Sequence, residues 1–517
     1  MNGAMYLCQG LLANHIDVCF ANPGTSEMHF VAALDQQPQM RCILGLFEGV
    51  VTGAADGYAR MAGRPAATLL HLGSGLGNGL ANLHNARRAR TPMVNVVGDH
   101  ATYHLAYDAP LTSDIQSIAR SVSNYVATAE STEGLAETLQ DCVRAAYEPS
   151  VGVSTLILPA NVAWSEVPEQ SFEPVARPAL KPVAEATLDE AVQLLQSGKK
   201  CLLLLGGQAL TEQVVRLAYT LAEHHGAAIS AETSNRRITR GRGRVPIDKL
   251  PYPIDQALET LKDFEAVILI GARAPVAFFA YPGKPSRLLP EGCQTLTLAT
   301  QDHDIEGALT QLMGRLGIDR AKEAVTAAAP VCPEADHGPL QAQAVCQAVA
   351  ALLPEEAIVV DESLTQGRTF YGQSHHSAPH DYLQLTGGAI GSGLPLATGA
   401  AVACPDRQVV NLQGDGSAMY TVQSLWTQAR ENLNCLTVIF SNRSYAILHG
   451  EMRNVGVQQA GHNAQRMFDL VQPELDWPNL AQSMGVAAAR ATTMAEFLQV
   501  FEQGLRHDGP FLIEAVV

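Results

Sequence analysis

Asp415 stands in Gly414-Asp415-Gly416-Ser417, just after the apolar run 408–412, and Asn442 stands in Ser441-Asn442-Arg443-Ser444-Tyr445, just after the run 436–440. A carboxylate and a side-chain amide are hard oxygen donors, which suit Mg²⁺ held together with phosphate oxygens. Gly414 and Gly416 let the backbone approach a diphosphate closely, and the N-terminus of a following helix favours its negative charge. An Asp-Gly pair is also an ordinary turn former, so a turn followed by a capped helix is the plain alternative for the tripeptide. A second acid, Glu48, sits in the otherwise apolar stretch Cys42-Ile43-Leu44-Gly45-Leu46-Phe47-Glu48-Gly49-Val50-Val51. Burial among apolar side chains favours a neutral carboxyl, which can share a proton with a ring nitrogen. A structural glutamate paired with a distant arginine is the alternative there.

These residues need elements that bring them to one place. Residues 417–441 separate Gly416 from Asn442. That is the length of one βαβ crossover, which puts both loops at the same edge of a parallel sheet. Short apolar runs recur at 66–70, 92–98, 154–159, 201–205, 266–270 and 357–360. Buried strands separated by helix-length segments predict an α/β fold of three doubly wound parallel-sheet domains, with ligands at the carboxyl ends of the strands. Pro-rich stretches at 167–187 and 327–340 read as extended linkers. They divide the chain into expected domains 1–170, 185–328 and 338–517, each of ordinary size.

Composition narrows the partners. The chain has 517 residues, with 51 acidic against 34 basic side chains and a net charge of −17, which argues against a nucleic-acid partner. With 47% apolar and 16% charged residues it can build large cores. Ten cysteines, none at a CxxC spacing, fit buried thiols in a reducing cytoplasm rather than disulfides or zinc. The N-terminus has no basic start and no long apolar core, so a secretory signal is not expected. The uncharged stretch 382–404 is long enough to span a bilayer, but its glycines and Pro395 mark it as protein interior, and no membrane partner is expected.

The spaced Asp415 and Asn442, with a strand before each, resemble the signature of enzymes dependent on thiamine diphosphate. The first part of the chain agrees. Asn22-Pro23-Gly24-Thr25-Ser26-Glu27, Glu48, Ala54-Ala55-Asp56-Gly57-Tyr58-Ala59-Arg60 and His71-Leu72-Gly73-Ser74-Gly75-Leu76-Gly77-Asn78 resemble a pyrimidine-binding domain. The family is the one that includes benzoylformate decarboxylase and acetohydroxyacid synthase. The resemblance implies pyrimidine-binding, middle and diphosphate-binding domains in that order. It implies Mg²⁺ ligands Asp415, Asn442 and the Ser444 carbonyl. It implies thiamine diphosphate contacts from Gly388, Ile390, Gly414, Gly416, Ser417, Thr365, Tyr445 and Asn78, with Ile390 wedged between the two rings. Catalytic roles are implied for Glu48, His71 and Thr25, with Glu48 bonded to the aminopyrimidine so that a C2 carbanion can form. In this family the acid reaches the cofactor held by a neighbouring subunit, so a homodimer or homotetramer with sites at the subunit interface is expected.

The implied reaction is non-oxidative decarboxylation of a 2-oxo acid through an enamine, most like benzoylformate decarboxylase at His71 and at Asp361-Glu362-Ser363. Thr25 stands where that enzyme has a serine. Phe279 stands at or near the place of its second histidine, and Glu451 where an aromatic residue shapes the pocket. Phe279, Leu111 and Leu448 are expected to line the substrate pocket. Two alternatives stay open: a carboligase of acetolactate synthase type, and a 2-hydroxyacyl-coenzyme A lyase. The second would use the run Arg236, Arg237, Arg240, Arg242 and Arg244 to grip a phosphate, where otherwise it is a solvated loop. Leu205-Gly206-Gly207-Gln208 lacks the GxGxxG spacing, so nothing reads as a dinucleotide site. His100 and His104 follow a strand and could face the site, while His375, His376 and His380 read as a solvated loop.

Overall fold

Leucine, isoleucine and valine runs dominate the strands of the computed structural model, which describes residues 1–147, 151–168, 173–322 and 328–517. The expected domain end at residue 170 and the start of the second linker at Ala327 lie outside these residues. The first sheet contains β1 (Val18–Asn22), β2 (Arg41–Leu44), β3 (Ala66–Leu70), β4 (Met93–Asp99), β5 (Tyr125–Thr128) and β6 (Val153–Pro159). Its order is β2-β1-β3-β4-β6-β5 and every pair is parallel. The second contains β7 (Cys201–Leu205), β8 (Ala228–Ala231), β10 (Ala266–Ile270) and β11 (Gln294–Ala299), in the parallel order β11-β10-β7-β8. Between β8 and β10, β9 (Ile238–Arg240) leaves that sheet altogether. It joins β12 (Ala357–Glu362), β13 (His380–Gln384), β14 (Val409–Gly414), β15 (Cys435–Ser441), β16 (Ala487–Ala491) and β17 (Phe511–Val516). The order there is β16-β17-β15-β14-β12-β13-β9, with β9 antiparallel to β13 and the other pairs parallel.

Three parallel-sheet α/β units therefore form, as the apolar runs require. β3, β4, β6, β7 and β10 are buried along their whole length, as strands covered by helices on both faces must be. The stretch 382–404 supplies most of β13 and the buried helix Gly393–Ala403. Among the described residues no helix is long and apolar enough to cross a membrane.

The arginine run is not a solvated loop, and Arg236 and Arg237 also line a second cavity. Arg237 pairs with Asp381, Nε to Oδ1 at 2.8 Å. Arg240 is buried, stacks on Tyr371 and donates to the carbonyls of Ile247 and Tyr371. Arg244 donates to the His380 carbonyl at 2.9 Å. The run docks β9 on the third sheet. His380, at the start of β13, is fully buried rather than solvated.

Two contacts fix the first unit to the third. The helix Glu48–Ala62 packs on the helix Gly393–Ala403 so closely that a Cβ at Gly399 would collide with the Ala54 carbonyl. Arg60 and Asp56 form a buried ion pair at 2.6 Å, and Arg60 also donates to the carbonyls of Gln384 and Arg236.

Candidate active site

β14 and β15 are parallel neighbours, so the loops that follow them open at one edge of the third sheet. Asp415 is buried at the start of the short helix Asp415–Ala418. Its Oδ1 accepts the Gly416 N–H at 2.7 Å and its Oδ2 accepts the Arg443 N–H at 2.6 Å, which ties the two loops together. Burial raises its pKa, against the pull of those N–H groups. The Asn442 amide oxygen accepts the Ser444 N–H at 3.1 Å. Ser417 Oγ donates to the Gly414 carbonyl at 3.0 Å.

These residues line one cavity of about 1000 Å³. Gly388, Ile390, Thr365, Gly414, Asp415, Gly416, Ser417, Asn442, Ser444, Tyr445, Phe279 and Leu448 all face it. A Cβ at Gly416 would collide with the Tyr445 ring, so the turn can take no larger residue at its floor. Gly388 has φ +82°, a left-handed conformation that glycine adopts without strain, and it lies against Phe278. Among the described residues no cluster of three or more His, Cys, Asp or Glu side chains could hold a metal. A site of one carboxylate, one amide and one carbonyl is of a different kind, and hard oxygens with open backbone N–H groups fit a magnesium-bound diphosphate.

A buried acid supports the loop beside Ile390. Glu362, at the end of β12, accepts the N–H groups of Gly391, Ser392 and Gly393 at 2.9, 3.3 and 2.7 Å. It thereby caps the helix Gly393–Ala403 and fixes the Gly388–Gly391 turn. Lys249 lines the same cavity, with its ammonium 4.5 Å from the Tyr371 ring centre, and burial lowers its pKa to about 8.

The remaining expected residues gather elsewhere. Glu48 is buried at the first turn of the helix Glu48–Ala62, and Asn78 Nδ2 donates to its Oε2 at 3.0 Å. His71 follows β3 and precedes the helix Leu72–Ala89; Leu72, next to it, has a strained φ of +47°. A Cβ at Gly75 would lie 3.0 Å from Glu48 Oε1 and 3.2 Å from His71 Cβ, so the acid and the root of the histidine side chain border one point. His71 Nδ1 is 2.8 Å from Oε2 of Glu27, which also accepts the Gly24 N–H at 2.8 Å. Thr25 is exposed, and the hydroxyl near His71 belongs to Ser26, 3.3 Å from Nδ1 and also bonded to Glu27. Leu111 is exposed on the loop before the helix Ile115–Arg120. None of Glu48, His71, Thr25, Asn78 or Leu111 lines the cavity around Asp415. One chain thus carries two separate groups: an acid–imidazole cluster on the first sheet and an oxygen-rich cavity on the third.

The roles of two residues escaped the sequence reading. Glu27 closes the resembling segment Asn22–Glu27 and stands three residues after Gly24, the spacing of a capping box, but neither signal gave its role beside His71. Glu362 stood in the resembling segment Asp361-Glu362-Ser363, but its capping role gave no signal, because its donors come from residues 391–393.

Residues 1–120 match the family described as thiamine pyrophosphate enzyme, N-terminal TPP binding domain, and residues 368–515 match its C-terminal TPP binding domain. A Mycobacterium tuberculosis protein described as an acetolactate synthase large subunit is 47% identical over 519 residues, covering 100% of this chain and 99% of the relative. Benzoylformate decarboxylase of Pseudomonas aeruginosa is 28% identical over 523 residues, 98% of this chain and 97% of its own length. A solved thiamine diphosphate-dependent 4-hydroxybenzoylformate decarboxylase from Rhodococcus jostii RHA1 shares the fold, with a TM-score of 0.86 at 24% identity over 100% of this chain and 99% of that one.

Proposed function

The chain belongs to the thiamine pyrophosphate enzymes, and on that premise we propose that it decarboxylates a 2-oxo acid without oxidation. The observation that carries this reading is the Glu27–His71 pair beside Glu48, because an imidazole held there can protonate what decarboxylation leaves behind. Asp415, Asn442 and the Ser444 carbonyl would hold Mg²⁺, and Ser417, Thr365 and the backbone at Gly414–Gly416 would hold the diphosphate. Thiamine diphosphate, when bound, supplies an acidic carbon and an electron sink for the electrons that CO₂ leaves behind.

The protein's own groups then have distinct tasks. Glu48, its carboxyl fixed by Asn78, would bond a pyrimidine nitrogen of the bound cofactor. Glu27 engages His71 Nδ1 and leaves Nε2 to exchange a proton with the substrate. Phe278, Phe279 and Leu448 exclude water from the cavity wall. Because Glu48 and Asp415 lie in separate groups on one chain, the reading needs two copies, with Glu48 of one serving the cavity of the other. A homodimer or homotetramer satisfies this. Ten free cysteines support a reducing, cytoplasmic setting.

The name of the 47% identical relative favours a second reading, a carboligase that passes the decarboxylated unit to a second carbonyl compound. Of the arginine run, Arg237, Arg240 and Arg244 are engaged in docking β9, which tells against their gripping a coenzyme A thioester. Products from a panel of 2-oxo acids, with Mg²⁺ and thiamine diphosphate added, separate the two readings. The lyase reading expects aldehyde; acyloin alone would discard it.

A further inference from the structure

We infer that the substrate carries a positive charge at the end remote from its 2-oxo acid group, and that Glu451 receives it. The inference rests on the 2-oxo acid reading and deepens it. Leu448 and Glu451 are three residues apart on the helix Ala446–Asn454, hence on one face, and both line the cavity around Asp415. The helix follows the Asn442–Ser444 loop in the chain, so Glu451 lies about 4.5 Å further along it from that loop than Leu448. The same cavity is also lined by Tyr252, Phe278, Phe279 and Met467.

An acid in such a wall ordinarily has a cation beside it. Glu451 has none: among the described residues no Lys, Arg or His nitrogen lies within 4.0 Å of its carboxylate. Lys249 and Arg368 line the same cavity and lie beyond that distance. Its hydrogen bonds come from the Tyr281 hydroxyl at 2.8 Å and from Asn454 Nδ2 at 3.4 Å, and both end on Oε2. Tyr281 comes from the middle part of the chain, so a residue far away in sequence holds the carboxylate in place. Among the described residues no hydrogen bond ends on Oε1, which leaves it free to accept one. A guanidinium or ammonium group there would complete an ion pair in a partly desolvated site. A neutral alkyl or phenyl group would strip water from Oε1 and return nothing.

The test compares 5-guanidino-2-oxopentanoate with its neutral isostere 7-methyl-2-oxooctanoate, using the full chain loaded with Mg²⁺ and thiamine diphosphate. The guanidino acid is expected to have the higher kcat/KM by roughly tenfold or more, the range that a lost partner at a polar site commands. Glu451→Gln should erase most of that preference and Glu451→Leu should invert it. Equal or better turnover of the neutral acid, or a preference that survives Glu451→Leu, would overturn the inference while leaving decarboxylation intact. If neither compound is turned over, calorimetric titration of both decides. Tighter binding of the guanidino acid, lost in Glu451→Leu, supports the site even where the reaction reading fails, and equal binding overturns it.

Discussion

Glu48 and Glu27 have different duties, and substitution separates them. Glu48→Gln keeps the shape and the Asn78 contact but removes the acid, so turnover should fall by about 100-fold or more, while calorimetric cofactor binding stays near that of the unaltered chain. Glu27→Gln removes a carboxylate that orients His71 and also holds the Gly24–Ser26 turn. Steady-state kinetics should show kcat lower by roughly 10- to 100-fold with KM little changed, the cost of losing a group that acts through another. Asp415 and Asn442 were legible in the sequence because each sits in the loop directly after its own strand. Glu27 was not, since its partner lies 44 residues away in the chain. Nor did the hydroxyl choice show: Thr25 and Ser26 are neighbours, and only the phase of the short turn decides which one faces His71.

Buried polar contacts between elements control stability here. Asp56→Ala would leave the Arg60 guanidinium buried without its carboxylate, and urea unfolding should show a loss of about 3–5 kcal/mol. His380 supplies a pH signature. Its Nδ1 lies 2.8 Å from the Ala378 carbonyl, its buried Nε2 has no partner among the described residues, and burial lowers its pKa to about 3. The unfolded chain, with an ordinary histidine pKa of about 6.5, takes up a proton that the folded state refuses. Stability therefore falls as pH drops below about 6.5 and keeps falling toward 3, by about 2 kcal/mol between pH 7 and 5. His380→Asn should flatten that slope in denaturation series at the two pH values. The strands at 201–205 and 266–270 could be read from their unbroken apolar runs. β9 could not: it has three residues, it is antiparallel, and it pairs with a strand 140 residues later. Arginines that dock a short edge strand look, in sequence, like a solvated basic loop.

At the scale of the whole molecule, the two groups of residues on one chain do not share a cavity. The three-sheet architecture was legible because alternating apolar runs and helix-length segments permit few other arrangements. The separation of Glu48 from Asp415 was not visible in those runs, because it depends on how the helix Glu48–Ala62 packs against Gly393–Ala403. If two copies complete each other, inactive chains should rescue one another. Co-expression of Glu48→Gln with Asp415→Asn creates mixed dimers, each with one site that has both groups intact and one that has neither. Random pairing predicts CO₂ release at about one quarter of the unaltered rate, although each variant alone is inactive. Activity no higher than that of the separate variants would contradict the shared site.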